Sequence, residues 1–240
     1  MINLSMNRGF IMISENIKYI KEQIQLASEL AGRKPDEITL IAVSKTKPIS
    51  MLREAYQAGI RDFGENKVQE LIEKFDDLPA DARFHMIGHL QRNKVKYIIG
   101  KVCLIHSVDS LRLAEEISRQ AIKKQTEADI LLEVNVAQED TKQGILAEEV
   151  IPFARQIALL PAVHIKGLMT VAPYADNSEE NRHHFKKLNQ LAVDIKNENI
   201  DNVIMDVLSM GMTGDYLIAV EEGATYVRVG TGVFGERDYA

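Results

Sequence analysis

From about residue 39 onward, short β-rich runs alternate with amphipathic helical stretches eight times, and that regular alternation leaves few folds open. The runs span residues 39–44, 61–64, 83–87, 104–108, 129–136, 164–171, 205–209 and 225–230. Between them apolar residues recur at helical spacing, as in Val68, Leu71, Ile72 and Phe75, or Phe185, Leu188, Leu191 and Ile195. Strands that are each followed by a helix pair in parallel, and eight of them close into a (β/α)8 TIM barrel of the α/β class. The 240 residues match the roughly 250 that such a barrel takes. An open doubly wound sheet is the competitor, but it rarely needs eight strands in so short a chain. An extra helix precedes the first strand. Ser14 is its expected N-cap, Ile13, Ile17, Ile20, Ile24, Ala27 and Leu30 share one face, and Gly32 stops it. A single domain over residues 1–240 is expected. Residues 1–12 read as a non-native or disordered extension, since Met12 could be the true start.

Several function classes are disfavoured at once. The net charge of −6 argues against a nucleic-acid partner, because phosphate backbones recruit basic faces. The group Arg92, Asn93, Lys94 and Lys96 is small and lacks interleaved aromatics. Cys103 is the only cysteine, so no internal disulfide and no multi-cysteine metal site can form. Its apolar setting, Val102-Cys103-Leu104-Ile105, reads as a small core residue. His85 and His89 have the i, i+4 spacing of zinc ligands on a helix, but they fall on a strand and its loop and read as structural. His183 and His184 lie on a charged, solvated helix face. No apolar run approaches the roughly 18 residues of a membrane span, and the first residues lack a signal-peptide core. A cytoplasmic protein without metal or membrane contact is expected.

Barrels of this kind carry their chemistry at the C-terminal ends of the strands. Strand one ends in Ser44-Lys45-Thr46-Lys47-Pro48. Lys45 directly follows Leu40-Ile41-Ala42-Val43, so its stem is expected to be buried at the barrel mouth. Desolvation there lowers an ammonium pKa, and a neutral amine can form a Schiff base with a carbonyl. The plainer alternative is a solvated loop lysine, as Lys47 could equally be. Strands seven and eight end in Ser209-Met210-Gly211-Met212-Thr213 and Gly230-Thr231-Gly232. Barrels commonly bind phosphate between those two loops, where glycines let the backbone approach an anion. Each glycine alone could equally serve a tight turn. Arg228 shares a strand face with Gly230 and could meet a phosphate or an acceptor nitrogen, or pair with an interior carboxylate such as Glu133. Met169, Met210 and Met212 read as packing at the pocket floor.

Taken in order, AVSKTKP (42–48), FGENKVQE (63–70), FHMIGHLQRNK (84–94), HSVDS (106–110), LLEVN (131–135) with Lys142-Gln143-Gly144, IKGLMTVAPY (165–174), LSMGMTGD (208–215) and VRVGTGVFG (227–235) resemble the pyridoxal phosphate homeostasis proteins. These are single-domain relatives of the alanine racemase N-terminal barrel, a fold type III carrier of pyridoxal 5′-phosphate. The resemblance runs from about residue 14 to the end. It departs where the family often has Trp before the strand-three histidine and this chain has Arg83-Phe84. It implies that Lys45 holds the cofactor as a Schiff base, and that Ser209, Gly211, Gly230 and Thr231 hold the phosphate. Arg228 then faces the pyridine nitrogen, and Asn66, His85 and Met169 line the pocket. It further implies a monomer that buffers pyridoxal phosphate, maintains vitamin B6 and amino-acid balance, and serves client enzymes, with no catalytic residues of its own. Racemases place a tyrosine base from a second domain, for which the residues after strand eight leave no room. Tyr174, Tyr216 and Tyr226 read as packing or rim residues. Two other readings stay open: a slow amino-acid racemase or decarboxylase, and a sugar-phosphate aldolase in which Lys45 traps the substrate itself.

Overall fold

The computed structural model describes residues 12–139 and 143–236. The extension expected over residues 1–12 therefore lies, except for Met12, outside the described residues, as does Lys142 of the quoted motifs. In chain order the strands are β1 (Thr39–Val43), β2 (Asp62–Glu65), β3 (Arg83–Met86), β4 (Val102–Val108), β5 (Ala128–Asn135), β6 (Ile145–Leu146), β7 (Val163–Met169), β8 (Val203–Met212) and β9 (Tyr226–Val229). The helices are α1 (Ile13–Leu30), α2 (Ile49–Gln57), α3 (Val68–Phe75), α4 (Val95–Ile98), α5 (Leu111–Lys123), α6 (Val150–Ile157), α7 (Arg182–Asn197), α8 (Tyr216–Glu221) and α9 (Thr231–Phe234). Apart from β6, the strands pair in parallel in the order β4-β3-β2-β1-β9-β8-β7-β5, and a β4–β5 pairing closes the ring. The eight-stranded barrel expected from the alternation is present. The two-residue β6 is an addition to the edge of β5, too short to give a periodic signal.

Most of the apolar core lies between the barrel wall and the helices, where Phe63, Phe84, Phe185, Leu71 and Ile117 are fully buried. The inner apolar cluster is small: Leu104, Leu131 and Met169, with Val207 and Tyr226 against them. Barrel interiors are usually filled by bulky branched side chains. Here His85, His106, Glu133, Ser209 and Arg228 are buried as well, and their polar atoms must be satisfied inside the fold.

Several local expectations change. Ser14 is not the cap of α1; the helix starts at Ile13, whose N–H donates to Glu54 Oε1 of α2 at 3.1 Å. Ser110 stands at the N-cap of α5, but its hydroxyl makes no capping bond. β8 runs on to Met212, past the predicted end at Ser209, because pairing with β9 resumes at Met212–Arg228 after an irregularity. Cys103 is not a core residue. It is exposed where β4 begins, with its sulfur 3.3 Å from Phe84 O and from His85 Nε2. Lost hydration at the sulfur and the charge of Asp62 push the thiol up to about 12, so it is a poor nucleophile.

The N-terminal helix has a structural duty. Among the described residues only the four-residue α9 follows β9, and α1 packs on α2, α8 and α9. It thus takes the place of an eighth outer helix, supplied from the opposite end of the chain.

Candidate functional site

The ring order places the C-terminal ends of β2, β1, β9, β8 and β7 side by side. Asn66 follows β2, Lys45 lies two residues past β1, Gly230 and Thr231 follow β9, and Gly211 lies near the end of β8. Five expected site residues thus share one contiguous arc of the barrel mouth, although their positions in the sequence are scattered.

Lys45 is half-buried in the turn after β1. The next residue, Thr46, has φ +61°, a region β-branched residues rarely adopt. Its N–H donates to Glu70 Oε2 at 2.6 Å, which holds the turn in that form. Lys47 turns away and donates to the carbonyls of Phe234, Gly235 and Glu236 at 3.4, 3.3 and 3.1 Å. Lys47 is thus tied to the end of α9, while Lys45 stands half-buried in the turn after β1. Beneath the turn, Ser44 Oγ donates to Glu65 Oε1 at 2.6 Å. Lys74 Nζ donates to Ser44 O at 2.9 Å and Glu65 Oε1 at 2.8 Å, and reaches Glu70 Oε2 at 3.3 Å. Burial raises the Glu65 pKa, against the pull of the bonds from Lys74 and Ser44. The outcome is a buried ion pair that clamps the base of the Lys45 turn.

The two glycine loops are joined. Gly230 and Gly232 N–H both point at Thr213 Oγ1, at 3.3 and 3.4 Å. A Cβ at Gly232 would come within 2.8 Å of Val229 Cγ1, and one at Gly230 within 3.4 Å of Val43 Cβ on β1. Gly211 has φ +86°, and a Cβ there would lie 2.5 Å from Ala219 Cβ of α8. The Thr213 hydroxyl thus joins the two loops, and glycine loops of this kind present backbone N–H groups, a donor set suited to a phosphate. Thr213, which bridges the loops, was not among the expected site residues; its only signal is its place in the run that begins at Ser209.

Arg228 is 3% exposed. Its Nη1 donates to Ser209 Oγ at 2.5 Å and its Nη2 to Thr170 O at 2.8 Å. Burial pulls its pKa down to about 10, against the opposing charges of Glu133 and Asp215. Both hydrogen-bond acceptors are neutral, so the ion pair with Glu133 weighed from the sequence is not formed among the described residues. Glu133 feels Arg228 only through space. Burial and Asp109 raise its carboxyl to about 7, and its Oε2 has no hydrogen-bond partner. The buried Ser209 hydroxyl also meets His106 Nδ1 at 2.9 Å, so in this structure it serves the barrel interior. His85 lies deeper than the mouth. Its Nδ1 meets His106 Nε2 at 3.0 Å and its Nε2 meets Asp62 Oδ1 at 2.9 Å, with Tyr226 edge-on to its ring. Met169 packs on Leu104 and Leu131. Among the described residues no cluster of metal-ligand side chains occurs, and no helix is long and apolar enough to cross a membrane.

Residues 16–238 match the family described as alanine racemase, N-terminal domain. The pyridoxal phosphate homeostasis protein of Aquifex aeolicus is 45% identical over 226 residues, covering 94% of this chain and 98% of that protein. Its counterpart in Pseudomonas aeruginosa is 40% identical, with 95% and 96% covered. Among solved structures, PipY of Synechococcus elongatus with PLP bound superposes with a TM-score of 0.81 at 35% identity, over 93% of this chain and all of PipY. Alanine racemase of Clostridium difficile gives 0.73 at 14% identity, over 93% of this chain but 57% of the racemase, a likeness of fold alone. Closed barrel, motif order and relatives agree: the chain belongs to the alanine racemase N-terminal domain family and, within it, to the pyridoxal phosphate homeostasis proteins.

Proposed function

We propose that the protein binds pyridoxal 5′-phosphate on Lys45 and holds it as a reserve that maintains vitamin B6 and amino-acid balance, without strong turnover of its own. One observation carries this reading: Lys45 and the joined glycine loops share the mouth on adjacent strand ends, next to a buried Arg228. The donor set fits the cofactor, with an amine for its aldehyde, backbone N–H groups for its phosphate and a fixed guanidinium for its ring nitrogen. The names of the relatives, and PLP in the PipY structure, support the same reading.

Lys45 would hold the cofactor through Nζ, an amine suited to its aldehyde. Gly211, Gly230 and Thr231 would hold the phosphate, with Ser209 beneath them, while Asn66 and Met169 would bound the pocket. His85 acts from beneath. Bound pyridoxal phosphate supplies an electron-withdrawing ring, and that ring is a weaker electron sink when its nitrogen carries no proton. Arg228 gives up no proton at neutral pH even when pulled down to about 10. A guanidinium facing the ring nitrogen therefore favours holding the cofactor over carbanion chemistry. Delivery to client enzymes in the cytoplasm follows from the same role.

The test is the absorption spectrum of purified protein with pyridoxal phosphate, before and after borohydride. A visible band that reduction converts into a stable adduct on Lys45, located by peptide mass spectrometry and absent in Lys45→Ala, is the expected result. Wild-type protein that stays colourless with added pyridoxal phosphate overturns the proposal.

A further inference from the structure

A continuous line of hydrogen bonds crosses the barrel interior beneath the site. It runs from Asp62 at the start of β2 through His85 of β3 and His106 of β4 to Ser209 of β8 and Arg228 of β9, over 2.9, 3.0, 2.9 and 2.5 Å. Every member is at most 5% exposed. Asp62 borders a floor cavity of about 450 Å³ and is clamped there by Arg83, at 2.7 and 2.5 Å. Burial alone would raise the Asp62 pKa, but the bonds from His85 and Arg83 outweigh it and hold the carboxyl below its ordinary value. The floor end of the line is therefore an ionised carboxylate.

The two ends fix the groups they touch. An ionised carboxylate only accepts, so His85 Nε2 must carry a hydrogen. A guanidinium offers only donors, so Ser209 Oγ accepts from Arg228. Between them His85 Nδ1 and His106 Nε2 share one hydrogen, and His106 Nδ1 meets the Ser209 hydroxyl. Burial holds His106 neutral, so it donates from one ring nitrogen and accepts at the other. Every member of the line therefore has a partner.

We infer that His106 and His85 are positioning residues, which lock Ser209 as a hydrogen-bond acceptor and so hold the Arg228 guanidinium in one orientation. This rests on the reading of Arg228 as the group that faces the cofactor ring, and it carries the setting of that group down to Asp62 on the opposite face of the barrel. Rigid placement is what a charge aimed at one ring nitrogen needs, and a buried network specifies geometry only when each member is satisfied.

Two measurements on cofactor-free protein test the relay itself. Nitrogen-15 NMR of the histidine rings should show His106 neutral, with a single ring hydrogen, and a hydrogen on His85 Nε2. A doubly protonated His106, or a bare His85 Nε2, overturns the relay. The Arg228 guanidinium should give separate, slowly exchanging Nη–H signals in wild type and in His106→Gln, whose amide both accepts and donates as the ring does. They should merge in His106→Leu, and signals unchanged in His106→Leu overturn the positioning role. In loaded protein, His106→Leu should shift the visible band and weaken pyridoxal phosphate binding about tenfold, the order of one lost hydrogen bond to a charged group. His106→Gln should restore both. Wild-type protein with the expected NMR pattern that takes up no pyridoxal phosphate overturns the proposed function while leaving the relay standing.

Discussion

Glu133 gains a proton when the chain folds. Its carboxyl sits at about 7 in the barrel, against 4.5 in the unfolded chain, because burial and Asp109 disfavour the charge more than Arg228 favours it. Below pH 4.5 both states are protonated and the group costs nothing. Between 4.5 and 7 only the unfolded chain ionises, so stability falls as pH rises, and above 7 the full penalty, on the order of 3 kcal/mol, applies. Glu133→Gln in cofactor-free protein should therefore be more stable than the parent at pH 8 and no more stable at pH 4.5, as read by urea denaturation. The Lys74–Glu65 pair behaves differently, because each partner is buried with the other. Lys74→Met strands the Glu65 carboxylate and should cost roughly 3 kcal/mol at pH 7. Adding Glu65→Gln should return most of it, and a double-mutant cycle with no coupling would contradict the clamp drawn here.

Among the elements, the packing of β8 on α8 leaves no room at Gly211. Gly211 combines a left-handed backbone with a virtual Cβ 2.5 Å from Ala219. Gly211→Ala should destabilise the fold by about 2 kcal/mol, from backbone strain and overpacking together. It should also weaken phosphate-dependent binding of pyridoxal phosphate more than that of pyridoxal, measured by titration of each. The same stretch shows why sequence boundaries slipped. Gly211 reads as the start of a loop, so strand seven was ended at Ser209, yet pairing with β9 carries β8 to Met212. The eight strands were legible because their apolar runs are bounded by turn residues. The duty of α1 was not, because periodicity shows that Ile13, Ile17, Ile20 and Ile24 share a face but not that α2, α8 and α9 receive it.

At the scale of the molecule, the candidate site divides into a rim that the sequence suggests and a floor that it hides. Lys45, Gly211 and Gly230 follow from one rule, that chemistry sits where strands end. Asp62, His106 and Thr213 do not, since their meaning depends on which strands become neighbours once the ring closes. His106 and Ser209 stand 103 residues apart in the chain and meet across the barrel. A site assembled from so many staves couples ligand to the whole fold. Pyridoxal phosphate at a hundred times its Kd should therefore stabilise the protein by about 2.7 kcal/mol. A clear rise in melting temperature is expected, and Lys45→Ala should lose most of it.

The seam between α1 and α9 also orders events in time. Asn16 Nδ2 donates to Val233 O across 217 residues of chain, and Gly232 lies against Ile20. As the chain leaves the ribosome, α1 must wait, with an apolar face uncovered, until α9 arrives to meet it. Such distant closure makes folding slow and leaves the waiting helix a natural client for a chaperone. A product cut short before β9 lacks both the seam and the Gly230 loop, and with them the proposed phosphate site.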